Sequence, residues 1–233
     1  MGLVCLQGGA EFRPGCEKLD AEMLAAAPVP PGATSPRVVI VPFASTPGPD
    51  RQAAGRNAVT WYRELGAKDL MVLDDEQPGE FQAGDPNPLQ ALAAAISRAD
   101  LLVLPGGSPA RLLSALRPHR DLLAALLARG TAISGASAGA MVLCRWTVLP
   151  EHGWRVEPAL GLVDVDLVVP HYSADHPVPH SWLTAARGAL PAGSVALGLP
   201  ERSGVILDET GARRSVGTAR TVELPLSELE QRR

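Results

Sequence analysis

The chain has 233 residues, 46% of them hydrophobic and 20% charged, with a formal net charge of −4. That length and apolar content predict a sizeable core and one domain over residues 1–233. There is no basic face for nucleic acid, no apolar stretch of membrane-spanning length and no basic leader, so a cytoplasmic protein without nucleic-acid or membrane partners is expected.

Gly2 to Leu6 reads as a short buried strand, followed by Gln7-Gly8-Gly9-Ala10-Glu11, where two glycines permit a tight turn or close approach to a ligand. Cys16 to Ala26 has helical spacing at Leu19, Met23 and Ala26. After a Pro/Gly-rich loop, Val38-Val39-Ile40-Val41 is a continuous apolar run, as in a strand covered on both faces. Asp50 to Gly66 predicts a helix and Asp69 to Leu73 a strand. Asp74 to Pro88 is a polar loop long enough for a lid or ligand-binding role. Leu89 to Arg98 predicts a helix, and Asp100 to Leu104 a strand ending at Pro105-Gly106-Gly107-Ser108-Pro109. Two helical stretches follow, Ala110 to Leu116 and Arg120 to Arg129. This alternation predicts βαβ units in a parallel sheet, with ligands beyond the carboxyl ends of the strands.

Past Arg145 the pattern changes. Leu160 to Val169 alternates and ends at Pro170-His171-Tyr172, and Pro179 to Ala189 is helical. Ser194 to Leu199, Gly204 to Leu207, Arg213 to Val216 and Thr221 to Leu224 read as short strands extending the same sheet. Residues 228–233 are expected to fray. The fold class is therefore α/β, with a mostly parallel central sheet and a β-rich C-terminal edge.

The chemistry centres on Gly135-Ala136-Ser137-Ala138-Gly139, a serine in the spacing G-x-S-x-G at the end of an apolar run. A nucleophile on a sharp strand-to-helix turn needs small neighbours, and all of these are small. Such a turn presents the Ser137 hydroxyl and aims the Ala138 N–H where an oxyanion can be held. The Gly106-Gly107 loop ends a neighbouring strand and supplies further backbone N–H groups. A serine hydroxyl also needs a base. Of five histidines, His171 follows a strand, where catalytic residues sit in this architecture. His119 is expected on the surface, and His152, His176 and His180 fall in loops or at a helix start. The imidazole needs an orienting carboxylate. Glu151, Glu157, Asp164, Asp166, Glu201 and Asp208 are all available, and spacing does not choose among them. The three cysteines, Cys5, Cys16 and Cys144, are widely spaced and predict free thiols without a metal site, Cys144 as a core residue.

These segments together resemble the dipeptidase E and cyanophycinase family of serine peptidases over nearly the whole chain. The resemblance lies in Gly8-Gly9-Ala10-Glu11, Val39-Ile40-Val41-Pro42-Phe43-Ala44-Ser45, Leu104-Pro105-Gly106-Gly107, Gly135-Ala136-Ser137-Ala138-Gly139-Ala140, Pro170-His171-Tyr172 and Leu199-Pro200-Glu201-Arg202-Ser203-Gly204. It implies a class I glutamine-amidotransferase-like fold, a three-layer sandwich of flavodoxin-like type. It implies Ser137 as nucleophile, His171 as base, and Gly107 and Ala138 as oxyanion donors. The acid falls at Glu151, with Glu157 in reserve, and Gly106, Ser108 and Tyr172 are the expected substrate-binding residues. The implied activity is hydrolysis of a small peptide or amide by a monomer or homodimer without a cofactor. Pro170 before the histidine, and the absence of arginine in Ser173-Ala174-Asp175-His176-Pro177, lean away from an aspartate-arginine polymer as substrate. Two other readings stay open: an α/β-hydrolase esterase, which shares G-x-S-x-G, and a non-catalytic binding module.

Overall fold

The computed structural model describes residues 1–73, 88–151, 153–173, 175 and 178–227. The long loop at residues 74–87, His152, His176 and the end at 228–233 lie outside them. The apolar runs of the first half become β1 (Val4–Gln7), β2 (Arg37–Ile40), β3 (Asp69–Val72), β4 (Leu101–Leu104) and β5 (Ala132–Ala136). Between them run α1 (Glu17–Ala26), α2 (Pro49–Glu64), α3 (Pro88–Ser97), α4 (Pro109–Leu116) and α5 (Arg120–Ala128). After β5 come α6 (Ala138–Leu143), a hairpin of β6 (Trp146–Leu149) and β7 (Arg155–Pro158), then β8 (Leu167–Pro170), α7 (His180–Ala189) and β9 (Val195–Leu199). β10 (Ser203–Leu207), β11 (Arg213–Gly217) and β12 (Val222–Pro225) end the chain.

The main sheet has seven strands in the order β11-β10-β1-β5-β4-β2-β3. The five strands from β1 to β3 in that order are parallel, and β10 and β11 add antiparallel to the β1 edge. The chain runs outward from β1 through β2 to β3, then returns through β4 to β5. Right-handed crossovers then place the outward and returning helices on opposite faces. The side chains follow. Cys5, Val38, Ile40, Leu101 and Val103 pack with Leu19 and Met23 of α1 and Trp61 and Tyr62 of α2. Leu6, Val39, Leu102, Leu104 and Ile133 pack against α3, α4, α5 and α6 on the other face. Alternation along each strand thus feeds two cores, which is why these strands are apolar throughout.

The C-terminal strands divide differently from expectation. β10 and β11 extend the main sheet, but β9 and β12 join β8 in a separate three-stranded sheet of order β12-β9-β8. β8, α7 and β9 make a parallel βαβ unit with its own core of Leu167, Val169, Trp182, Leu183, Ala196 and Leu224. The β6–β7 hairpin has no clear mark in the sequence, because β7 is largely solvent-facing and shows no apolar alternation. Among the described residues no helix is long and apolar enough to cross a membrane.

A very tight backbone approach lies under the β5–α6 turn. A β-carbon on Gly139 would stand 2.0 Å from the Leu104 carbonyl oxygen, and one on Gly135 2.5 Å from the Gly139 carbonyl carbon. Backbone on both sides leaves nothing flexible to yield. Gly139→Ala should therefore lower folding stability by about 3 kcal/mol. Urea denaturation checks this through the midpoint, with the m-value expected to stay unchanged.

Candidate active site

Ser137 stands between β5 and α6 with φ 49° and ψ −108°, outside the ordinary regions for a residue with a β-carbon. The turn survives because Gly135 and Gly139 let α6 lie against β5 and β4, and because the Ser137 N–H donates to the Gln7 carbonyl at 3.0 Å. The hydroxyl is thereby raised beyond the carboxyl edge of the sheet, where His171 Nε2 lies 3.0 Å from Ser137 Oγ.

His171 directly follows β8. Its φ is 56°, and its N–H donates to the Gly8 carbonyl at 2.8 Å. The imidazole fills the space over Gly9, where a β-carbon would come within 2.2 Å of Cε1. Gly9 is required there for contact as well as for its φ of 134°. On the other side of the ring, Nδ1 lies 3.1 Å from Glu201 Oε1. The parallel pairing of β8 with β9 sets Pro170 opposite Leu199, so His171 and Glu201 leave neighbouring strand ends together.

Ala138 opens α6, so its N–H has no intrahelical acceptor. Gly107 has φ 137° and packs against the Ala44 carbonyl, where a β-carbon would stand 2.5 Å from the oxygen. Gly106 differs from expectation, because its N–H already donates to Glu11 Oε1 at 2.8 Å. A β-carbon on Gly106 would stand 2.7 Å from Glu11 Oε1 and 3.2 Å from Ser137 Cβ, so the Glu11 carboxylate and Ser137 both pack against that glycine. A cleft of about 530 Å³ opens on the Glu11 side of Gly106, lined by Glu11, Arg13, Asn57, Trp61, Glu64 and Gly106 among others, and neither Ser137 nor His171 is part of its lining.

Glu151, expected as the carboxylate on the histidine, is placed elsewhere. It lies in the turn of the β6–β7 hairpin, and its Oε1 accepts the Ser108 hydroxyl. Ser108 also caps α4, accepting from the Arg111 N–H at 3.2 Å. Both are thus tied to the start of α4 rather than to the imidazole. Tyr172 turns its ring over Gly198 and packs into the small-sheet core. The other carboxylates are occupied away from His171. Glu157 pairs with Arg117 and Arg155, Asp164 and Asp166 pair with Arg145, and Asp208 closes its own turn on Thr210 and Ala212. His119, expected on the surface, is buried at a one-turn 3-10 helix beside α5. Cys144 is buried, and desolvation raises its thiol pKa far above the ordinary range. Among the described residues no group of three His, Cys, Asp or Glu side chains could hold a metal ion.

Glu201 carried a signal in the sequence that spacing from the serine hides. It stands two residues beyond a buried apolar strand, the same kind of position as His171. Recognising the pair required knowing that the two strands are parallel neighbours.

Comparison with known proteins agrees with the fold. The family model for peptidase family S51 matches residues 16–214. A peptidase from an acI-B1 Actinobacterium has a similar fold, with a TM-score of 0.73 at 19% identity, over 97% of this chain and 94% of that one. A protein assigned as a peptidase E from Listeria monocytogenes EGD-e aligns with a TM-score of 0.59 at 17% identity, over 97% and 98% of the two chains. No curated protein matches by sequence.

Beneath the site lies a buried polar cluster. Asp20 of α1 is fully buried and accepts from Gln7 Nε2 at 2.6 Å, Trp61 Nε1 at 2.8 Å and Tyr62 Oη at 3.2 Å. Gln7 is the residue whose carbonyl holds the Ser137 N–H. Burial pushes the Asp20 carboxyl up to about 6 from 3.8, and its three donors only partly offset this. Between those values the folded state binds more proton than the unfolded state, so this contribution to stability is lost as pH rises through about 6. Relative to Asp20→Asn, the wild type should lose up to about 3 kcal/mol of stability between pH 4 and pH 7. Denaturant midpoints of both proteins across that range measure the difference.

Proposed function

The chain belongs to peptidase family S51 and is a serine-type peptidase, and we propose that Ser137, His171 and Glu201 are its catalytic triad, with small peptides as substrates. The observation that carries this reading is the continuous relay of 3.0 Å from Ser137 Oγ to His171 Nε2 and 3.1 Å from His171 Nδ1 to Glu201 Oε1. His171 takes the hydroxyl proton as Ser137 Oγ attacks the carbonyl carbon. Glu201 accepts from Nδ1–H and stabilises the imidazolium that forms. The Ala138 and Gly107 N–H groups receive the oxyanion. His171 then returns the proton to the leaving amine, and a water activated by the same imidazole hydrolyses the acyl-enzyme.

Small peptides suit the cleft beside Ser137, which reaches the site through Gly106 and whose volume of about 530 Å³ lies in the range of small-ligand sites. The reading is of dipeptidase E type rather than cyanophycinase type, for the reasons of sequence around His171 given above. It needs no cofactor, since nucleophile, base, acid and oxyanion donors all come from the chain. Buried free thiols at Cys5, Cys16 and Cys144 are compatible with a reducing cytoplasm.

Ser137→Ala should abolish peptide hydrolysis and labelling by a fluorophosphonate probe while leaving the circular dichroism spectrum unchanged. Complete inertness of the wild type towards that probe would favour a binding module instead. The two glutamates separate the candidate acids. Glu201→Gln should lower kcat by about 10²- to 10⁴-fold. Glu151→Gln keeps an acceptor for Ser108 and should lower it by less than about tenfold.

A further inference from the structure

We propose that Arg202 is a positioning residue for Glu201, an inference that rests on Glu201 being the acid of the triad. Arg202 has φ 54°, a left-handed conformation in which glycine or asparagine is at ease and a long side chain is not. The surrounding chain holds it there at three points. Its N–H donates to the Gly9 carbonyl at 3.1 Å, its carbonyl accepts from the Thr218 N–H at 3.2 Å, and its Nε donates to the Pro14 carbonyl at 3.0 Å. Gly15 makes room for the arginine stem, since a β-carbon there would stand 2.8 Å from Arg202 Cδ.

The guanidinium is thus oriented before it meets its neighbour. Its Nη1 lies 3.9 Å from Glu201 Oε2, while Glu201 Oε1 faces His171 at 3.1 Å. A carboxylate held through one oxygen turns about its last bond. At 3.9 Å the guanidinium attracts Oε2 as an ion pair without a hydrogen bond, which favours the rotation that turns Oε1 to the imidazole, and misplacement in such a relay is costly in rate. Both partners are half exposed, so the ion pair adds little to folding stability. The left-handed backbone opposes folding as well. The hydrogen bond to Pro14 is the arginine's structural contact, and it also aims the guanidinium at Glu201.

Glycine at position 202 removes the clasp and the strain together, so a positioning arginine and a merely structural one give opposite results. The readout is labelling of Ser137 by a neutral fluorophosphonate, separated into kinact and KI. Arg202→Gly and Arg202→Asn should lower kinact by about 10- to 100-fold with KI within about twofold, and Arg202→Lys should recover part of the loss. The melting temperature of Arg202→Gly should be unchanged or higher. In the Glu201→Gln background, Arg202→Gly should cost nothing further. Wild-type kinact in Arg202→Gly or Arg202→Asn overturns the proposal, whatever their melting temperatures. So does an effect confined to KI, which would put the arginine on the ligand, or a further loss in the double variant. Wild-type kinact in Glu201→Gln overturns instead the assignment of the acid.

Discussion

Three consecutive carbonyls at the end of β1 hold the site together. Gln7 accepts from the Ser137 N–H, Gly8 from the His171 N–H and Gly9 from the Arg202 N–H. Ser137, His171 and the residue beside Glu201 arrive from different parts of the chain, and each is hydrogen-bonded to this one short segment. β1 is suited to the task because it is the seam of the main sheet, parallel to β5 on one side and antiparallel to β10 on the other. A buried strand paired on both edges has little freedom, so its last carbonyls act as a fixed reference for two sheets. The small sheet that carries His171 is registered on the main sheet through Gly8 and Gly9.

Backbone strain gathers around that segment. The non-glycine residues with positive φ are Ala10, Phe12, Ser137, His171 and Arg202 among those described. Ala10 and Phe12 follow β1 directly, and the other three hang from its carbonyls. Each such conformation costs of order 1–3 kcal/mol and persists only where the surroundings determine it. Here the determinants are visible as glycines that admit close approach at positions 8, 9, 135 and 139, and as buried hydrogen bonds beneath them. Asp20, Gln7, Trp61 and Tyr62 form part of that support, a buried polar network whose carboxylate is itself destabilised by burial.

Glu11 shows how close packing shapes the cleft. By accepting from the Gly106 N–H it ties that loop to the end of β1 and puts a carboxylate in the lining of the cleft. Ser108 and Glu151 in turn tie the β6–β7 hairpin to the start of α4, so the loop carrying Gly106 and Gly107 is braced on both sides. The expected acid became a brace for local reasons. The hairpin turn at Glu151 points across to α4, a relation that no count from Ser137 encodes.

The amino-acid sequence alone determined the parallel α/β core, the turn at Ser137 and the strand-end position of His171. Each is written in local terms: continuous apolar runs for strands buried on two faces, small residues at fixed offsets around a serine, and a histidine after a strand. The splitting of the C-terminal strands into two sheets, the β6–β7 hairpin and the burial of His119 were decided by tertiary packing. So was the carboxylate on His171. Glu201 lies 30 residues beyond that histidine and reaches it because β8 and β9 pair in parallel with Pro170 opposite Leu199. Strand register is a property of two segments at once, and neither segment's residues state it. Local chemistry singled out Ser137 and His171, and only the pairing of strands chose which of several carboxylates stands beside that histidine.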